Sequence, residues 1–230
     1  MPFPNIKTSA TTNGTTASAT PTVDLPATIG VGNILVVLFR VAVAGAIGWP
    51  DGTWNELFDA SSDAADDQMA LAWRKSTGTE GSTIALTCTS GKFAAISLQI
   101  EGGQDPNIQA PQLSTVATGS STLPDPTTCT PTGGAKDYLW VWLGGWEGEQ
   151  TSPPTGDPTN FTGRLGADSG IVSTVATNCR VATSTRQFNG ASLDAGSWTI
   201  SVSDDWTAYL MAIHPANDIP EVGMTTRIAA

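Results

Sequence analysis

The sequence predicts an all-β fold, and three features support this prediction. Two apolar runs, NILVVLFRVAV at 33–43 and DYLWVWLGGW at 137–146, show no polar period, as expected of strands buried on both faces of a sheet. Segments that alternate Thr with Val are separated by turns rich in Gly, Pro, Asp and Asn. The best helix candidate, 60–72, carries its acidic residues on no consistent face, so we predict a loop that leads into a strand. With 230 residues the chain can form one substantial core, and we predict a single β-sandwich domain over 1–230.

The second apolar run repeats the first. A shift of 104 positions places Ile34 on Tyr138, Leu35 on Leu139 and Val37 on Val141. Later in each half, GSTIALTCTSGKFAAISLQI at 81–100 resembles GSWTISVSDDWTAYLMAIHP at 196–215. We therefore predict two diverged copies of one all-β unit, about 8–110 and 111–215. The alternative is chance similarity between strand–turn–strand segments.

The predicted domain has four parts. The repeats proper cover about 23–100 and 127–213, between an N-terminal arm of about 1–22 and a polar C-terminal tail of about 216–230. The arm is rich in Thr and Ser and has Lys7 as its only charge. Such a segment suits strand addition to a sheet edge, so we expect the ends to serve assembly.

Alternation along the second run places an aromatic row on one face of the strand. The opposite, aliphatic face is assigned to the sandwich core with its counterpart in the first copy, which gives Leu139, Val141 and Leu143 with Leu35, Val37 and Phe39. The aromatic row consists of Tyr138, Trp140 and Trp142 and needs a cover. We expect the protein's own terminal arm to cover it. A partner subunit and a sugar-stacking platform are the alternatives.

Composition argues against several classes of function. Ten basic residues against 21 acidic ones give a net charge of −11, and no Lys/Arg cluster is present, which argues against nucleic-acid binding. The longest apolar stretch, 34–49, contains Arg40 and is shorter than the roughly 20 residues that span a bilayer. No basic and apolar signal-peptide regions stand at the start, so we expect synthesis in the cytoplasm and no membrane partner.

The cysteines predict free thiols. Cys88, Cys129 and Cys179 are odd in number and have no Cys-x-x-Cys spacing, so neither a disulfide framework nor a zinc site is expected.

Candidate catalytic residues are few. His214 is the only histidine, which excludes metal sites built on several histidines. Ser169, Asp194 or Asp204, and His214 have the chain order of an α/β-hydrolase triad, but the G-x-S-x-G motif and the alternating helices are missing. We expect no catalytic residue, no cofactor-binding residue, no metal ligand and no cofactor.

One acidic segment has an alternative interpretation. Asp59, Asp63, Asp66 and Asp67 cluster at 59–67 without basic neighbours, which is typical of a solvated loop. The alternative is a calcium loop, because hard cations prefer several oxygen ligands, although the spacing matches no EF-hand.

Several phrases resemble a family of tailed-phage proteins encoded among virion structural genes. They are VDLPxxIxVGNILVV at 23–37, GWPDGTWNELFD at 48–59, AWRKSTGTEGSTIALT at 72–87 and DPxxxTPTGGAKDYLW at 125–140. The resemblance covers about 20–215 and implies a jelly-roll-like β-sandwich in the virion. These motifs describe a fold rather than an active site, so the resemblance implies no functional residue.

The expected function is therefore structural. We expect a non-enzymatic protein on the exterior of a phage virion, most specifically a capsid decoration or cement protein that stabilises the shell by bridging capsid subunits. Its expected partners are the major capsid protein or other virion proteins, and further copies of itself. The alternatives are a tail or fibre component that contacts the host surface, and a carbohydrate-binding module.

Overall fold

The computed structural model describes residues 2–61, 66–147, 156–170 and 178–216. These residues form strands and no helix, which confirms the all-β prediction. The strands are β1 (Asn5–Ser18), β2 (Thr22–Asp24), β3 (Ile34–Val41), β4 (Asn55–Ala60), β5 (Gln68–Lys75), β6 (Thr83–Ala85), β7 (Gly91–Glu101), β8 (Gln112–Leu113), β9 (Ala117–Ser121), β10 (Lys136–Glu147), β11 (Thr162–Asp168), β12 (Cys179–Gly190) and β13 (Asp204–Ile213).

Each half of the chain forms one antiparallel sheet. The first sheet has the order β1-β7-β3-β5-β4, and the second has the order β11-β12-β10-β13-β8, with β9 also paired to β13. The two sheets pack face to face, because one apolar cluster contains side chains from both. The jelly-roll part of the prediction is not confirmed: the chain completes one sheet before it begins the other, whereas interleaved Greek keys would carry it back and forth.

The two apolar runs are the central strands of the two sheets, as predicted. All eight residues of β3 are buried, and so are residues 138–146 of β10. Each central strand has a hydrogen-bonded neighbour on both edges and an apolar layer on both faces, which explains the continuous apolar sequence. The predicted helix-free segment 60–72 contains the end of β4 and the start of β5, with 62–65 outside the described residues.

The predicted core face is right for β10 and wrong for β3. Leu139, Val141 and Leu143 lie in the inter-sheet core, as expected. The residues of β3 that face them are Ile34, Val36 and Leu38. Leu35, Val37 and Phe39 point to the opposite side of their sheet. An alignment shifted by 104 positions pairs residues of opposite faces, because a shift of one residue turns every side chain of a strand over.

A second apolar layer covers the outer face of each sheet. On the first sheet, the paired strands β2 and β6 and the loop after β3 supply Val23, Leu25, Ile47, Trp54, Ile84 and Leu86. On the second sheet, the corresponding cover contains Cys129, Phe161, Leu193, Ala195, Trp198 and Ile200. The molecule therefore has four layers, and both faces of both sheets are buried in the region of the central strands.

The two covering layers are held by matching backbone bonds. Gly48 pairs with Thr87 in the first half, and Gly156 pairs with Thr199 in the second. In each half the residue just before that threonine donates its N–H to a proline carbonyl, Leu86 to Pro21 at 2.9 Å and Trp198 to Pro124 at 3.0 Å. At these bonded residues the two covering layers are therefore held in the same way.

The N-terminal segment belongs to its own sheet. Residues of β1 pair with β7 from Asn5↔Glu101 to Ser18↔Gly91, with irregularities at Lys7 and between Gly14 and Ser18. The predicted arm of about 1–22 is therefore an edge strand followed by the start of β2. The predicted tail of about 216–230 lies outside the described residues except for Ala216.

Candidate functional site

A buried charged group closes one end of the inter-sheet core. Arg40 follows Leu38 on the core face of β3 and is fully buried. Its stem lies against Gly145 of β10, where a Cβ would stand 2.8 Å from Arg40 Cδ. The guanidinium donates to the carboxylate of Asp67, which is itself 2% exposed. Gly145 thus supplies the space that a buried arginine needs, and Asp67 supplies the charge that it needs.

Three carboxyl groups meet beside this ion pair. Asp66, Asp67 and Glu147 each place an oxygen within 4.8 Å of the others. Burial raises the pKa of Glu147 to about 8, and a hydrogen bond to Asp66 together with the charges of Asp66, Asp204 and Asp67 adds to the shift. Glu147 is therefore largely protonated at neutral pH, so it shares a proton with Asp66.

The acidic segment predicted from the sequence contributes only part of this group. Asp59 is turned elsewhere and accepts from the backbone N–H of Ile47 at 2.9 Å, and Asp63 lies outside the described residues. Oxygen ligands of this kind suit a hard cation. Asp67, however, already balances Arg40, so the geometry favours a proton-sharing cluster. Glu147 was missed from the sequence, and its one signal is that an acid ends an otherwise apolar strand.

The residues with the chain order of a hydrolase triad do not meet. Ser169 is 1% exposed, and its Oγ accepts from the backbone N–H of Cys179 at 2.8 Å. Asp204 is the first residue of β13, and His214 follows its last residue. Ten residues of a strand span roughly 30 Å, so the two side chains lie far apart. Asp194 lies in the covering layer of the second sheet, beside Leu193 and Ala195.

His214 has a packing role in this structure. Its Nε2 lies 2.8 Å from Gln112 Oε1, and its ring stands edge-on to Tyr138 with centroids 5.0 Å apart. Burial, with a smaller effect from Lys136, lowers the pKa of His214 to about 4. The imidazole is therefore neutral at physiological pH.

The aromatic row is covered by the chain itself, but by a different segment from the one expected. Tyr138, Trp140 and Trp142 are each 0% exposed. The Trp142 indole stacks on Trp198 with centroids 4.6 Å apart, so the cover comes from the segment before β13. The expectation that the terminal arm covers this row is wrong, because that arm is edge strand β1 of the other sheet. Full burial likewise removes the row as a partner interface or sugar platform.

β1 is a long edge strand of 14 residues. β1 ends the strand order of its sheet, so among the described strands only β7 pairs with it. Its exposed side chains include Ser9, Thr11 and Asn13, of which Asn13 accepts from the backbone N–H of Asp168 in β11 at 2.9 Å. Lys7 is the only charged residue of its 14. Such an edge is a ready template for an additional strand.

The three thiols lie in separate parts of the protein. Cys179 belongs to the inter-sheet core, Cys129 to the cover of the second sheet, and Cys88 packs against the cover of the first. Burial raises the pKa of Cys129 to about 11 and that of Cys179 to about 12, so both remain protonated and unreactive.

No protein-family model, curated protein or solved structure matches the chain. The described part of the chain contains no helix with the length and hydropathy of a membrane span.

Proposed function

We propose that the protein is a non-enzymatic structural component of the exterior of a phage virion, most specifically a capsid decoration protein that bridges neighbouring capsid subunits. The observation that carries the proposal is the open edge of β1. At about 3.3 Å per residue, its 14 residues offer roughly 45 Å of backbone to a partner strand. The proposed location in the virion rests on the resemblance of the sequence to virion proteins.

Two further features support a scaffold. Apolar layers on both faces of each sheet make a rigid body whose large aromatic side chains are used internally. A net charge of −11 keeps free copies apart in solution, and β1 adds only the positive charge of Lys7 at the edge where a partner strand would pair. Strand addition at this edge joins subunits through main-chain hydrogen bonds.

We also infer that the two halves arose from one duplicated unit. The support is the common strand order and the matching bonds of Gly48–Thr87 and Gly156–Thr199. In this alignment Ile34 corresponds to Leu139, since both face the inter-sheet core. The shift at the central strand is then 105 positions, one more than the sequences suggest.

The test measures attachment to particles. Particles of the phage that carries the gene are stripped of the protein and mixed with purified wild type or with the double variant Ser9→Lys, Thr11→Lys. Lysines on an edge strand discourage pairing, so we expect the variant to keep its melting temperature but to lose at least about ten-fold in affinity. The matched control is Thr22→Lys, Thr83→Lys, which adds the same charge to exposed positions of β2 and β6.

Electron microscopy with a gold-labelled antibody locates the protein on wild-type particles. Dense labelling over the head supports a decoration protein, and labelling confined to the tail supports the tail or fibre alternative. Particles that carry no label contradict a virion role. Equal attachment of the β1 variant and the wild type would show that the edge is not the docking surface.

A further inference from the structure

A cleft opens where β11 parts from β12. Pairing between these strands ends at Thr162↔Thr185, whereas β12 continues to Gly190. Gly163 has a φ of 66° and Asn160 a φ of 64°, and these left-handed conformations turn the chain away from the sheet. The start of β1 forms the opposite wall. The resulting cleft has a volume of about 540 Å³, within the usual range of ligand sites.

Arg186 is the distinctive residue of this cleft. Its guanidinium carbon lies 4.5 Å from the centroid of the Phe188 ring, and this cation–π contact restricts the position of the guanidinium. The ring is fixed in turn, because it packs over Gly190, where a Cβ would stand 2.4 Å from the ring. The carbonyl of Phe188 accepts from Trp140 Nε1 at 3.0 Å. Arg186 therefore occupies a prepared position.

Arg186 also lacks the acidic partner that the other described arginines have. Those arginines are Arg40 with Asp67, Arg74 with Glu80, Arg164 with Asp157, and Arg180 near Asp168 and Asp204. Among the described residues no ion pair includes Arg186, although the chain has 21 acids for ten bases. No Asp or Glu lines the cleft within the described part of the chain. A fixed, unpaired guanidinium in such a place suits an anion from outside.

The rest of the lining is neutral and polar. It includes Asn5, Asn160, Gln187, Thr162 and Thr185. Two of the amides already donate within the chain, Gln187 Nε2 to the carbonyl of Pro4 at 3.0 Å and Asn5 Nδ2 to Glu101 at 3.3 Å, which leaves their amide oxygens as acceptors. Amide and hydroxyl groups both donate and accept hydrogen bonds, which matches the several hydroxyls of a sugar ring. We propose that the cleft binds an acidic saccharide across the edge of β12 that β11 leaves unpaired. Arg186, on the outer face of the strand, contacts its anionic group, and Thr185 and Gln187, on the opposite face, contact its hydroxyls. This binding goes beyond the proposed structural role.

The test is calorimetric titration at 0.15 M salt with trigalacturonate, mannose 6-phosphate, maltotriose and triglutamate. We expect trigalacturonate or mannose 6-phosphate to bind at least about ten-fold more tightly than neutral maltotriose, and the stronger of the two tells a carboxylated from a phosphorylated ligand. Arg186→Gln should weaken that binding by at least about ten-fold. Arg164→Gln is the matched control, because it removes the same charge from β11 outside the cleft lining.

Three results would overturn the proposal: no binding of either acidic sugar up to about 10 mM, binding that is unaffected by Arg186→Gln, or tighter binding of triglutamate, which would indicate a peptide site. Should Arg186→Gln fail to fold, NMR of the wild type decides. Shifts of the Asn160 and Gln187 side-chain amides on adding the acidic sugar support the site, and unchanged shifts refute it. Particle attachment is measured separately, so either proposal can fail alone.

Discussion

Replacing Glu147 with Gln should remove a pH-dependent loss of stability. In the folded protein the pKa of Glu147 is raised from 4.5 to about 8, so folding favours the protonated form. Below about pH 4.5 both folded and unfolded chains carry the proton, and this group has no effect. As the pH rises towards 8 the unfolded chain releases its proton and the folded chain retains it, so stability falls over this window and levels off above it.

The size of the effect follows from the shift. At about 1.4 kcal/mol per pKa unit, the upper limit is roughly 5 kcal/mol. Glu147 is half-buried and Asp66 is exposed, so solvent screening reduces the expected loss to about 1–3 kcal/mol between pH 5.5 and 8.5. Gln resembles the protonated acid in shape and can still donate to Asp66. We therefore expect Glu147→Gln to be more stable than the wild type at pH 8.5 and similar to it at pH 5.5.

Urea unfolding at pH 5.5, 7.0 and 8.5, followed by tryptophan fluorescence, measures this difference. The protein has eight tryptophans, and Trp140, Trp142, Trp146 and Trp198 are almost completely buried. Glu56→Gln is the control, since it changes an exposed Glu of β4 away from the carboxyl cluster. The reasoning is refuted if wild type and Glu147→Gln show the same pH dependence, or if the variant is the less stable protein at pH 8.5.

Three further predictions concern buried side chains. Burial lowers the pKa of His214 in the folded protein from 6.5 to about 4, so the wild type should lose about 1–2 kcal/mol of unfolding free energy as the pH falls from 6.5 to 4. In the same unfolding experiment His214→Gln should not show this loss. Equal losses of stability at acid pH in the two proteins would contradict the prediction. Trp198→Ala removes the ring that stacks on the aromatic row and should cost about 3–5 kcal/mol in unfolding free energy. Trp49→Ala, at a half-buried position, should cost markedly less. Comparable losses would refute the assignment of Trp198 to the buried covering layer. Arg40→Met and Asp67→Leu should each cost about 3–5 kcal/mol, because each removes one half of a buried ion pair. The double variant should cost much less than the two together, and additive losses in a double-mutant cycle would show that the ion pair is not coupled.

Features that depend on neighbouring residues were predictable from the sequence. β3 and β10 are recognisable because a strand covered on both faces has no polar positions. The same property explains the error over Leu35. Because no polar residue marks one face of the strand, an alignment error of one position cannot be detected from the apolar run itself. The face of β3 that belongs to the inter-sheet core is known only from its packing against the second sheet.

Features that depend on distant residues were not predictable. Trp198 covers Trp142 from 56 positions away, and Glu147 meets Asp66 across the gap between the sheets. The cleft at Arg186 arises from the end of a strand pairing, which leaves no pattern in the sequence. In each case the topology of the fold decides which side chains meet. The residues next to them in the sequence do not indicate this contact.

Arg40 and Gly145 occupy corresponding positions on the two central strands and have complementary roles. Each is the next core-facing residue after the aliphatic trio of its central strand, Arg40 after Leu38 and Gly145 after Leu143. One sheet supplies a buried charge at this position, and the other supplies an empty space for it, with 2.8 Å between Arg40 Cδ and a Cβ built at 145. Two arginines here would compete for the same space, and two glycines would leave a void and remove the guanidinium that donates to Asp67. If the halves began as copies, the two sheets have acquired different and complementary residues at this end of the core. The carboxyl group of Glu147 that shares a proton with Asp66 lies next to it.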